Sequence, residues 1–125
     1  NVWISYEIKG EDFFSIMEAD TDWDGKKDVM IVKKNNRIIL RKSDTNKDGK
    51  YDVEEYFDEK GRKEKELVDV NHDGKFDDIY YYENGNLVLE ELDTNFNGKA
   101  DQWVVFEYNA DGSIKQCIIK KDNNC

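Results

Sequence analysis

Proline is absent from all 125 residues, histidine occurs once and cysteine twice. Without proline, no strand is interrupted by a residue that lacks a ladder donor. With His72 the single histidine and no cysteine near it in sequence, zinc is a poor fit. The single histidine also leaves Ser5, Ser15, Ser43 and Ser113 without a general base, and no residue set stands apart as a catalytic site. The chain is therefore expected not to be an enzyme. Basic residues number 19 against 29 acidic ones, a net charge of −10. That deficit argues against nucleic acid, which requires a basic footprint. No apolar run is long enough to span a membrane as a helix. Asn1 to Gly10 lacks the basic start and apolar block of a signal peptide. No helical period survives beyond one turn, which leaves an all-β chain of one-domain size. Aromatic residues make up 13% of the chain, too many for a disordered acidic tail.

What is abundant is a phrase. DTDWDGKKD (20–28), DTNKDGKYD (44–52), DVNHDGKFD (69–77) and DTNFNGKAD (93–101) begin 24, 25 and 24 residues apart. A period near two dozen residues marks a repeat architecture. Between the phrases, each segment reads as strand, turn, strand. Asn35-Asn36 and Asn84-Gly85 supply the positive φ angles of two-residue hairpin turns. Gly61 and Gly112 suit longer turns. Val, Ile, Tyr, Phe and Trp crowd the flanks, as strands prefer. The expected architecture is five consecutive β-hairpins, at about 2–18, 28–43, 52–68, 78–92 and 102–120, joined by the four phrases as loops. These form a single repeat domain over 1–125, as an antiparallel meander, a solenoid or two facing sheets. The stretch 62–66 is charged and expected to face solvent, whereas 79–82 and 103–106 are apolar on both faces. The first hairpin fits the template without its phrase: Trp3 aligns with Trp103, and Asn1 stands where Asp101 does. Asp122-Asn123-Asn124 resembles the opening of a fifth phrase. Cys117 and Cys125 match no metal spacing; a disulfide pinning the tail and two free thiols both stay open.

Oxygen-bearing residues occupy the first, third, fifth and ninth places of each phrase, with glycine sixth. Calcium takes six to eight oxygens in a flexible cage, and alternating Asp/Asn residues turn successive oxygens inward. The seventh residue offers its backbone carbonyl, so its side chain is free to be lysine. The expected ligands are Asp20, Asp22, Asp24, Lys26 and Asp28 in the first loop; Asp44, Asn46, Asp48, Lys50 and Asp52 in the second. They continue as Asp69, Asn71, Asp73, Lys75 and Asp77 in the third, and Asp93, Asn95, Asn97, Lys99 and Asp101 in the fourth. Up to four Ca²⁺ follow. Twelve acidic residues lie in the phrases, four, three, three and two in order, and four divalent ions would bring −10 to about −2. If charge governs, the first loop binds tightest and the fourth, with Asn97, weakest. His72, at the fourth place, is read as an exposed spacer.

An EF-hand closes its cage with a glutamate at the twelfth place. Here that place holds Ile31, Glu55, Tyr80 and Val104, so the ninth Asp must close it. The shorter loop resembles the Asp-rich calcium loops of thrombospondin type 3 repeats and integrin-type propeller blades. It lacks the fixed cysteines of the former, and its repeat is far shorter than the blades of the latter. The whole is similar in style to hairpin-and-calcium-loop repeats of bacterial secreted proteins and lipoproteins. That resemblance implies a calcium-binding module outside the cytosol: extracellular, cell-surface or periplasmic. Its expected role is structural or adhesive, toward an unknown protein or glycan. The alternative is a calcium-dependent ligand-binding module, carried by Tyr80, Tyr81, Tyr82, Trp103, Phe106 and Tyr108 if these form an exposed stripe rather than core.

Overall fold

The computed structural model describes residues 1–120, with the backbone alone over 116–120. The disulfide question therefore lies outside the described residues. The chain is all-β. Ten strands run as β1 (Val2–Lys9), β2 (Asp12–Ala19), β3 (Val29–Lys34), β4 (Arg37–Ser43), β5 (Val53–Phe57), β6 (Lys63–Val68), β7 (Asp78–Glu83), β8 (Asn86–Leu92), β9 (Gln102–Tyr108) and β10 (Ile114–Lys120). They lie in sequence order in one open antiparallel sheet. Of the three architectures open to the sequence, this is the meander.

Antiparallel order sorts the connections by end. The five short turns lie at one end of the strands and the four Asp-rich loops at the other. Consecutive loops are two strands apart, about 10 Å along the sheet edge. Asn35, Asn36, Asn84 and Gly85 adopt the positive φ angles that the tight turns demand. The three middle hairpins share a further device. The register shifts at Val32/Lys33, Tyr56/Phe57 and Tyr81/Tyr82, leaving one extra residue on the returning strand each time. Such bulges raise the local twist.

The sheet has little conventional core. Ala19 and Val104 are the buried apolar residues among those described, and no second layer of helix or sheet covers either face. Most strand positions are half-buried against lateral neighbours only. Apart from Val104, the apolar runs 79–82 and 103–106 follow this pattern rather than meeting packed layers on both sides. The charged strand β6 is also half-buried apart from Glu64, contrary to the expectation for 62–66. Lys63 explains part of this, since its ammonium lies 3.0 Å from Glu55 and 3.2 Å from Glu66. Pairing across strands lets charged stems lie flat on the sheet.

What is buried instead is carboxylate: Asp20, Asp28, Asp44, Asp52, Asp69, Asp77, Asp78 and Asp93. All but Asp78 belong to the loops. Asp78, at the start of β7, accepts a hydrogen bond from the Tyr80 hydroxyl at 2.8 Å, while its Oδ1 has no partner. Burial, and then the neighbouring Glu90, push its carboxyl up to about 7. The folded state therefore holds a proton that the unfolded chain, titrating near 3.8, releases. Stability contributed by this proton is present at acidic pH and is lost as pH rises toward 7. Asp78→Asn is expected to raise the melting temperature at about pH 8 by roughly 5 °C, with the gain vanishing near pH 4. Melting curves across that range, in chelator, check it; a gain independent of pH would refute the assignment.

Candidate metal centres along the loop edge

All four loops fold alike, and the hydrogen bonds show why these residue types recur. The first aspartate caps the bend. Gly25 N–H donates to Asp20 Oδ2 at 2.9 Å, and Gly49, Gly74 and Gly98 repeat this to Asp44, Asp69 and Asp93 at 2.8, 2.8 and 2.7 Å. The N–H of the fifth residue donates to the other oxygen of the same carboxylate. The fifth residue in turn accepts from the N–H of the seventh, at 2.8–2.9 Å in each loop. This is the local Asx turn that Asp and Asn provide. The sixth glycines have φ of 88–92°, the left-handed region where a side chain is strained.

The ninth aspartate closes the loop. Its N–H donates to the carbonyl of the residue before the phrase, from Asp28 to Ala19, Asp52 to Ser43, Asp77 to Val68 and Asp101 to Leu92. Its carboxylate accepts from the second residue. Thr21 and Thr45 give both N–H and hydroxyl to Asp28 and Asp52, and Thr94 gives both to Asp101. In the third loop the Val70 N–H serves Asp77 at 3.0 Å.

Successive loops are also joined. The first N–H of each loop donates to the carbonyl of the preceding ninth residue: Asp44 to Asp28, Asp69 to Asp52 and Asp93 to Asp77, at 2.8–2.9 Å. Asp20 donates in the same way to Asn1. Side chains at the fourth place reach back as well. Lys47 Nζ lies 2.8 Å from Asp22, and His72 Nδ1 lies 3.6 Å from Asp52. The Lys47 ammonium holds the Asp22 carboxyl below its ordinary range.

Two features of the fourth place were hidden in the sequence. Its residues Trp23, Lys47, His72 and Phe96 all take φ of 57–65°, a conformation uncommon outside glycine and asparagine. The variety of side chains there concealed a fixed backbone. The structure also aims this position at the neighbouring loop in two cases, so His72 is exposed but not idle. Threonine at the second place of three loops was the visible sign of the closing hydrogen bonds.

The structure brings Asp20, Asp22 and Asp24 together so that one oxygen from each lies within 4.8 Å of the others. Asp69, Asp73 and Asp77 converge likewise. These two clusters could hold a metal ion. Asp28 is occupied by Thr21 rather than joined to the first cluster, although its loop has the most acids. In the fourth loop Asn95 and Asn97 leave two acids, so amide oxygens would complete the site; the second loop has three acids at the same places as the third, Asp44, Asp48 and Asp52, but they do not converge as closely. The donor set suits a hard divalent cation: carboxylate and amide oxygens, with no thiolate. Asp77 shows the electrostatic demand. Burial raises its carboxyl above the ordinary value, and the charges of Asp73 and Asp69 add to the rise against the Val70 and Asn71 N–H bonds. A cation among these groups would remove that strain.

The aromatic set divides between the two faces. Cross-strand register places Tyr81 and Trp103 on one face and Tyr80, Tyr82, Phe106 and Tyr108 on the other. All are half-buried except Tyr108, so they form no exposed stripe. The most exposed aromatic ring is Trp23, 76% accessible at the fourth place of the first loop.

No family model matches this chain, and no curated protein does. Among solved structures, it is similar to a chain in the crystal structure of accessory secretory protein 1,2 and 3 in Streptococcus pneumoniae. The likeness has a TM-score of 0.52 at 18% identity, over 70% of this chain and 16% of that one. It shows a shared fold. No helix among the described residues is long and apolar enough to cross a membrane.

Proposed function

We propose that this chain is a calcium-binding repeat module of the cell exterior, with a structural or adhesive role in which calcium rigidifies the hairpin array. One observation carries the reading. In a sheet whose buried apolar residues, among those described, are Ala19 and Val104, the buried groups are chiefly loop carboxylates stacked along one edge. Burying charge without a counter-charge is costly. A Ca²⁺ in each loop would supply the counter-charge and make the loop edge the substitute for a hydrophobic core. Loops of this kind in extracellular modules bind with Kd of about 10⁻⁴–10⁻³ M, which matches calcium outside the cytosol. The resemblance to secreted repeats supports an extracellular, surface or periplasmic location, with a protein or glycan as partner.

Charge count predicts an order among the loops. Asp24→Ala is expected to remove the tightest site and weaken it by about tenfold or more, whereas Asn97→Ala removes a site already weak. Calcium titrations of the two variants, followed by NMR shifts of Gly25 and Gly98, distinguish the loops. Equal losses would refute the ranking.

A second reading, calcium-dependent ligand binding, has one observation in its favour. A shallow depression of about 340 Å³ on one sheet face is lined by Ile4, Tyr6, Phe13, Met17, Ile31 and Ile38, with Tyr6 stacked on Phe13 at 5.5 Å. Tyr6→Ala, if it abolishes attachment to a cell surface while leaving calcium uptake intact, decides for this reading.

A further inference from the structure

At the third place of the loops, Asp22 is the one carboxylate; Asn46, Asn71 and Asn95 are amides. At the fourth place, Lys47 is the one permanent cation, beside Trp23, His72 and Phe96. The structure joins these two exceptions across 25 residues, with Lys47 Nζ 2.8 Å from Asp22 Oδ2. The ammonium of the second loop therefore sits on one of the three carboxylates, Asp20, Asp22 and Asp24, that converge in the first. On the calcium reading of the loops, on which this rests, we propose that Lys47 competes with the ion at the first loop and sets that site's affinity.

Both oxygens of Asp22 are engaged. Oδ1 accepts the Asp24 N–H at 3.4 Å and Oδ2 accepts the ammonium. A cation that draws on Oδ2 must displace Lys47 or share the oxygen with a like charge. The base of the Lys47 side chain stays fixed while this happens. Its N–H donates to Asp44 Oδ1 at 2.7 Å, and the Asp44 N–H donates to the Asp28 carbonyl at 2.9 Å. The ammonium itself is free to move, because the Lys47 side chain is 54% exposed and water can receive it. Such an exposed pair is weak, so the competition tunes affinity rather than blocking the site. The first loop holds four acids against three in the second and third. Lys47 offsets part of that excess and narrows the lead that charge count gives the first loop. The other converging cluster, Asp69, Asp73 and Asp77, is followed one loop later by Phe96 at the same place, which carries no charge.

Calcium titration of the full 125-residue chain, followed by NMR shifts of Gly25 and Gly98, tests the competition. Lys47→Met keeps the stem and the backbone N–H and removes the charge. The Kd read at Gly25 is expected to fall roughly three- to fivefold, with Gly98 unchanged. Lys27→Met removes the same charge from the first loop itself, but Lys27 pairs with Glu18 rather than with a loop carboxylate. It should move the Gly25 Kd by less than about 1.5-fold. Lys47→Arg, which keeps the charge, should follow the parent. All three replacements are at exposed positions, and circular dichroism of each variant should match the parent. A parent with no saturable shift at Gly25 overturns the calcium reading and this proposal with it. A saturable shift in the parent whose Kd is unmoved by Lys47→Met overturns the proposal alone. So does an equal gain from Lys27→Met, which would show an effect of overall charge rather than of the contact with Asp22.

Discussion

Excess chelator is expected to lower the melting temperature by about 15–20 °C relative to about 1 mM calcium. At that concentration, a site with Kd of about 10⁻⁴ M stabilises the folded chain by about 1.4 kcal/mol. Four such sites give about 5–6 kcal/mol, comparable with the whole stability of a small domain, about 5–15 kcal/mol. An ordinary domain would survive the loss on its apolar core. Here the buried apolar residues among those described are Ala19 and Val104, so little is held in reserve. Removal of the ions would also leave converging carboxylates at Asp20, Asp22 and Asp24, and at Asp69, Asp73 and Asp77, to repel one another. Calorimetric melting with and without chelator measures the difference. A melting temperature shifted by less than about 3 °C would count against calcium as a condition of the fold.

Asp44→Ala is expected to cost about 2–4 kcal/mol, or about 10 °C, even in chelator. Asp44 is 6% exposed and its carboxylate accepts from three backbone N–H groups, those of Lys47, Asp48 and Gly49. Alanine would leave these donors unpartnered at a bend that also requires positive φ at Lys47 and Gly49. In calcium the loss should be larger, because one ion is forfeited as well. Asp44→Asn is the intermediate case: its amide oxygen can still accept from Lys47 and Asp48, but its NH2 would face the Gly49 N–H that Oδ2 accepts, so the variant should lose less than alanine in chelator and lose the ion's contribution as well in calcium. Matched losses for alanine and asparagine in chelator would show that the hydrogen bonds are not what holds the loop.

The strands and turns were legible because local chemistry specifies them. Asn-Gly and Asn-Asn turns, aromatic and β-branched flanks and the absence of proline determine five hairpins without reference to anything distant. The phrase marked the four loops, and the carboxylates that converge in the first and third, because its Asp, Asn and Gly places keep a fixed order. The arrangement of hairpins was not legible. Meander, solenoid and sandwich use the same two-residue period, and they differ in whether a second layer covers the sheet. The runs 79–82 and 103–106 look like core on both sides, yet the sheet holds all of them except Val104 half-buried between lateral neighbours. The linkage between loops was also hidden. Lys47 to Asp22 and His72 to Asp52 span 25 and 20 residues, and each side chain sits at a place whose residue type varies. A fixed φ near 60° at that place leaves no compositional trace when the occupants are Trp, Lys, His and Phe.

Calcium would stiffen the junctions between hairpins. A chain of net charge −10 repels its own copies, and bound cations would reduce that charge.

The most direct test of the central claim is a calorimetric titration of the chelator-stripped chain with calcium up to a few millimolar. The account predicts saturable uptake of more than one and up to four ions per chain, with Kd of about 10⁻⁴–10⁻³ M. A titration with no saturable heat, accompanied by no calcium retained in equilibrium dialysis, would contradict it.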